Sequence, residues 1–164
     1  MDTVKISFWN SNGYSISNVR SKTKIINQIK EKYQLDVFNN NTRIYNDYIL
    51  DILKKNKYLL CCLITTARPY IMYLTKIYND NICLLIDLKI KDNFAPNIIA
   101  IPISINFDIY NETIIQGDLY KNSKTYKWEY QIEKCLVYKG RSINSNNQIK
   151  NLTICKDIAS NISS

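Results

Sequence analysis

From Tyr126 to Glu133 the chain alternates without a break, with Tyr126, Trp128, Tyr130 and Ile132 interleaving with Lys127, Glu129, Gln131 and Glu133. A period of two is that of an extended strand with one buried and one wetted face, because successive side chains of a strand point to opposite sides. Such a strand needs neighbours along both edges and a layer over its apolar side, so the chain must build a sheet. The next position on the buried side of this alternation is Lys134, a cation where packing favours an apolar residue.

Strand-like runs of the same kind precede it. Tyr58 to Thr65, Tyr70 to Tyr78, Ile82 to Lys89, Ile103 to Ile109 and Thr113 to Tyr120 are apolar and β-branched, with Asn79-Asp80-Asn81 and Lys121 to Lys124 reading as turns. A less regular stretch runs from Phe94 to Pro102. Nearer the amino terminus, Val4 to Trp9 reads as a short strand. Ser17 to Tyr33 reads as a helix with Ile25, Ile26, Ile29 and Tyr33 on one stripe and Lys24, Lys30 and Lys32 opposite. A second helix is expected over Asn46 to Asn56, where Asn46 and Asp47 can cap it and Tyr48, Ile49, Ile52 and Leu53 share a face. The tail from Ser142 is polar apart from a weak apolar segment at Leu152 to Ile158. The pattern predicts an α+β fold, an antiparallel twisted sheet with peripheral helices. With 164 residues, 46% of them hydrophobic, and no internal repeat or long linker, residues 1–164 form a single domain.

Composition narrows the chemistry. The chain has no histidine, which excludes Ser-His and Cys-His nucleophilic catalysis. Its five cysteines, at 61, 62, 83, 135 and 155, include no C-x-x-C pair, so no metal site and no bound cofactor are expected. Most lie in apolar runs, as buried thiols do in a reducing compartment. No signal-peptide pattern and no membrane-length apolar run is present, so a soluble, cytoplasmic protein with no membrane partner is expected. The tripeptide Asn111 to Thr113 then reads as a product of asparagine abundance, not a glycosylation site. A net charge of +8 favours an anionic partner such as RNA, a nucleotide or an acidic protein surface. The same abundance of Lys, Asn, Ile and Tyr is also what an A/T-rich genome produces without functional selection.

The stretch Trp128 to Gly140, WEYQIEKCLVYKG, resembles a strand of the mRNA-capping guanylyltransferases, which reads roughly aromatic-x-Ile-aromatic-Asp-x-Leu followed by Gly, with Lys134 standing on the aspartate. Three further segments line up in order with that family. In YLLCCLITTARPYIMYL, Arg68 falls on the arginine of the K-x-D-G-x-R motif, while Leu63 falls on its lysine, Thr65 on its aspartate and Thr66 on its glycine. ICLLIDLK is similar to a strand ending in Ile-Asp-Arg, keeping Asp87. TIIQGDLY is similar to T-L-L-D-G-E-L, keeping Thr113 and Gly117, with Gln116 for aspartate and Asp118 for glutamate. The resemblance spans about residues 38–143 and has no counterpart to the later K-x-D-G-type motif or the oligonucleotide-binding-fold domain of the enzymes.

The resemblance implies a partial nucleotidyltransferase-like fold without the chemistry. The family's lysine attacks the α-phosphate of GTP to give a covalent lysyl-GMP, then passes GMP to a diphosphate RNA end with help from a metal ion. Leucine has no nucleophilic atom, and Lys134 puts a positive charge where a divalent cation would approach. Lys54, Lys55 and Lys57 read as a helix end and not as substitutes. No catalytic residue is therefore expected, and Arg68, Lys134, Asp87 and Asp118 are the candidate ligand-binding residues. Two function classes stay open. One is a pseudoenzyme that binds RNA, a cap or a nucleotide in a cleft between Arg68 and Lys134, in the manner implied by the similar, lysine-free cap-binding domain of the snurportins. The other is a structural or regulatory subunit of a capping or transcription complex, for which composition suggests a viral or cytoplasmic genetic element, with a viral factory or virion as its setting.

Overall fold

A computed structural model describes residues 2–8, 11–38, 67–89, 95–103, 105, 107–143 and 148–162. The expected helix Asn46 to Asn56 and strand Tyr58 to Thr65, with Leu63, Thr65 and Thr66, lie outside the described residues. The rest forms an α+β domain built on one antiparallel sheet of 8 strands in the order β1-β2-β5-β4-β3-β6-β7-β8. The strands are β1 (Thr3–Phe8), β2 (Ser11–Ile16), β3 (Arg68–Ile77), β4 (Asp80–Asp87), β5 (Ile98–Ile101), β6 (Thr113–Lys121), β7 (Trp128–Tyr138) and β8 (Arg141–Ser142). Two helices, α1 (Val19–Tyr33) and α2 (Gln148–Ile162), pack on opposite faces of it.

Helix α1 begins where Asn18 caps it, its Oδ1 accepting from the Ser21 backbone N–H at 3.2 Å, and stops at Gln34, which takes a left-handed conformation with φ of 52°. Its Ile25 and Ile29 bury against Ile71, Tyr73, Leu84, Ile86 and Ile98, which alternate along β3, β4 and β5. The other face of the same strands presents Tyr70, Met72, Leu74, Cys83, Leu85 and Ile101 to Cys155 and Ile158 of α2.

Several expectations shift in the structure. The turn joining β3 to β4 is Tyr78-Asn79, one residue earlier than Asn79-Asp80-Asn81, and both residues have positive φ, the geometry that matches strand twist in a two-residue hairpin. Asp80 is free to open β4 because it pairs with Ile77. Among the described residues from Ile103 to Ile109 there is no strand. Instead β5 lies earlier, ends before Pro102, which has no N–H for a ladder, and is followed by a 3₁₀ turn at Phe107–Tyr110. Tyr110 anchors that turn by donating its hydroxyl to the Ile103 carbonyl at 2.5 Å. The tail is not merely polar: α2 spans 15 residues. Nor is Tyr126 a strand residue, since it sits in the β6–β7 turn with φ of 57° and is largely exposed.

Candidate functional site

The described parts of the four motif-like segments, the first of them from Arg68 onward, are sheet neighbours in the order β4-β3-β6-β7. Register sets Tyr70 opposite both Asp87 and Gly117, and Arg68 opposite Leu119. Arg68, Tyr70, Asp87, Gly117 and Leu119 therefore share the α2 face. The Asp87 carboxylate is 2% exposed, and it accepts hydrogen bonds from Arg68 Nη2 and from the Lys89 backbone N–H, the latter at 2.9 Å. A buried carboxylate is costly unless its charge is compensated, and Arg68 supplies that compensation. The arginine side chain itself stays half exposed and lies 6.0 Å from the centroid of the Tyr70 ring. Burial, and then the Asp87 charge, push the Tyr70 phenol above its ordinary pKa and keep it neutral.

Gly117 has a steric reason to be glycine. A Cβ there would lie 2.2 Å from the Gln131 carbonyl oxygen and 3.0 Å from the Tyr130 ring. The bare backbone lets Tyr130 lie across β6 with its hydroxyl shared between the carbonyls of Tyr70, at 2.9 Å, and Ile115, at 3.2 Å. Burial holds the Tyr130 phenol well above its ordinary pKa, so the hydroxyl remains a donor.

Lys134 is not on the Tyr130 face, where simple alternation would put it. Gly117 pairs with Ile132 while Gln116 pairs with Lys134, so Glu133 is an extra residue and β7 bulges. A bulge changes the parity of everything after it. Lys134 thus turns to the α1 face together with Gln116 and Asp118. A second irregularity between Ile114 and Ile115 restores Tyr138 to the α2 core. The sheet brings Arg68 to Asp87 and Lys134 to the side of Asp118, but it separates the two pairs onto opposite faces. Among the described residues, Arg68 and Lys134 line no common cleft.

The surface around Lys134 is mixed in charge. Gln116 Nε2 donates to Glu133 Oε2 at 3.0 Å. Glu129 accepts from the Tyr120 hydroxyl at 2.6 Å and from Asn122 Nδ2 at 2.7 Å, donors that hold its carboxyl below the usual range. Gln116 and Lys134, two of the positions that align with aspartates of the resembling family, are direct register partners. An amide and an ammonium do not fit a divalent cation, because the ammonium has no lone pair to give and repels the ion. Among the described residues no group of three or more Cys, Asp or Glu side chains could hold a metal, and no helix is long and apolar enough to cross a membrane.

No protein-family model matches the chain, and no curated protein matches it.

Sequence reasoning missed two polar anchors. On the α2 side, Asn151 accepts from the Cys135 backbone N–H at 2.9 Å and donates to the Cys135 carbonyl at 2.7 Å, replacing a strand partner between the two irregularities of β7. On the α1 side, Lys32 donates to Glu112 at 2.7 Å and the Tyr33 hydroxyl donates to the same carboxylate. Burial raises the Glu112 pKa, but these two donors outweigh it and leave the carboxyl below its ordinary range. Neither anchor has a signal in local sequence, since each joins residues far apart along the chain.

Proposed function

We propose that the protein is a non-catalytic, guanylyltransferase-like domain that binds RNA. The observation that carries this reading is the adjacency in one sheet of the described parts of the four motif-like segments, with Gln116 and Lys134 as register partners at two positions where the family has aspartates. Sequence supplies the second half of the reading, since Leu63 stands where the nucleophilic lysine would be. Separation of Arg68 and Lys134 onto opposite faces disfavours capture of one mononucleotide between them. An extended polyanion that follows the surface of a +8 protein is the better match.

Incubation with α-labelled GTP and Mg²⁺ or Mn²⁺ tests the catalytic half: the protein is expected to carry no acid-stable label. A labelled adduct mapped to a lysine overturns it. The mixed charge around Lys134 favours a second reading at that surface, a contact with another protein of a capping or transcription complex. A stable heteromer in which the isolated protein shows no RNA binding would put that reading first.

A further inference from the structure

Between Asp2 and Glu31 the chain contains no acidic residue, yet Lys5, Arg20, Lys22, Lys24 and Lys30 all fall there. Helix α1 alone carries five basic side chains against one acid, a net +4 and half of the chain's +8. Its cations divide by position. Lys30 lies 3.9 Å from Asp36 and Lys32 is bound to Glu112, so the carboxy-terminal end is neutralised locally. At the other end the first turn itself has no acid, Asp2 Oδ2 accepts from Nδ2 of the cap residue Asn18 at 3.2 Å, and Arg20 and Lys24, one turn apart, are exposed. Cations at the amino-terminal end oppose the helix dipole, whose positive pole is there. The dipole gives Arg20, in the first turn, no stabilising role there, and breaches of local rules of this kind are expected at functional surfaces.

The sheet adds an independent element beside them. Lys5 and Tyr14 are direct cross-strand partners in β1 and β2. Tyr14 pairs on its other side with Ala100, which packs against the α1 core, and Ile16, two residues on, is buried in that core. Both side chains therefore point to the face that carries α1. Tyr14 is 44% exposed and Lys5 is exposed. One face thus combines Lys5, Arg20 and Lys24 with an open aromatic ring.

We infer that this face, formed by the β1–β2 ribbon and the outer side of α1, is the surface on which single-stranded RNA lies, with phosphates on Arg20, Lys24 and Lys5 and a base stacked on Tyr14. Arg20 and Lys24 sit about 6 Å apart along the helix axis, and aromatic stacking tolerates any base. Membrane attachment does not suit the helix, because its apolar stripe is already spent on the sheet. An acidic protein would match the charges but would leave Tyr14 without a reason to be exposed. This inference rests on the RNA-binding reading above and assigns its surface.

The test is fluorescence anisotropy of a labelled oligouridine RNA over a salt series, with thermal unfolding of every variant. The Arg20→Gln, Lys24→Gln variant keeps good helix formers and relieves the dipole conflict, so its melting temperature should stay level or rise. Its log–log salt slope should fall by about 1.4, at about 0.7 per lost phosphate contact. Tyr14→Ala should weaken binding about tenfold with the slope unchanged, and Tyr14→Phe should restore it. Wild-type binding with unchanged affinity and slope in the double variant overturns this surface while leaving RNA binding intact. Absence of wild-type binding at low salt overturns both. Polyglutamate binding lost in the double variant, with Tyr14→Ala silent toward RNA, overturns the RNA assignment in favour of an acidic protein.

Discussion

Gly117 marks the closest approach of β6 and β7, and no side chain can be added there without moving backbone. Gly117→Ala is expected to cost about 1–3 kcal/mol, as overpacking does, measurable as a loss in chemical-denaturation free energy. Arg68 and Asp87 form a second residue-scale unit. Removing the arginine leaves a buried carboxylate with only the Lys89 N–H, so Arg68→Ala should cost about 1.5–3 kcal/mol, and the Arg68→Ala, Asp87→Asn double variant should cost less than the sum of the single changes. Because Arg68 lies on the α2 face, its loss should leave RNA affinity unchanged. Arg68, Asp87 and Gly117 were singled out in sequence only through the resemblance; that Arg68 pairs with Asp87 and that Gly117 makes room for Tyr130 depends on strand register and was not legible. Nor was the position of Lys134, because one extra residue in β7 inverts its side of the sheet, and a bulge is set by the partner strand and leaves no mark in the strand's own pattern.

At the scale of elements, the helices are held by polar anchors as well as by apolar stripes. Asn151 satisfies both backbone groups of Cys135, so Asn151→Ala should destabilise the fold by about 1–3 kcal/mol. Loss of α2 protection in hydrogen exchange would place that cost at the helix. The Lys32–Glu112 anchor is half exposed and correspondingly weaker, about 0.5–1 kcal/mol for Glu112→Gln at neutral pH. Its pH dependence has a definite sign. Glu112 has a lowered pKa in the folded protein, so its contribution is complete above the ordinary value of 4.5 and disappears as pH falls through the lower folded value. Melting temperatures of wild type and Glu112→Gln should therefore differ at pH 7 and converge in acid. Helix α1 was legible from its spaced isoleucines, whereas α2 was not, since Ile154, Cys155, Ile158 and Ile162 give only a faint apolar stripe. Strand β2 was not among the strands read from sequence; in the fold Gly13 lets β2 pass close to Ile99, whose Cγ2 would be 3.1 Å from an added Cβ.

For the whole molecule, the sheet order sets the described motif-like segments apart from the basic face that we propose for RNA. Strands β4, β3, β6 and β7 form one half of the sheet and hold the motif-like segments in register. Strands β1 and β2 form the opposite end of the sheet and, with the start of α1, whose body lies over β3, β4 and β5, carry Lys5, Arg20 and Lys24. Antiparallel pairing and the α+β class followed from alternating runs and short turns, because those patterns act locally. Strand order did not, since β5 is inserted between β2 and β4 by contacts that only the folded chain makes. The central claim is that this domain binds RNA without transferring a nucleotide. Its most direct test is an equilibrium titration of the purified protein with single-stranded RNA across a salt series. The account predicts saturable binding at low salt and a linear fall of log affinity with log salt whose slope corresponds to at least two phosphate contacts, about 1.4 or steeper. No binding at low salt, or binding indifferent to salt, would contradict it.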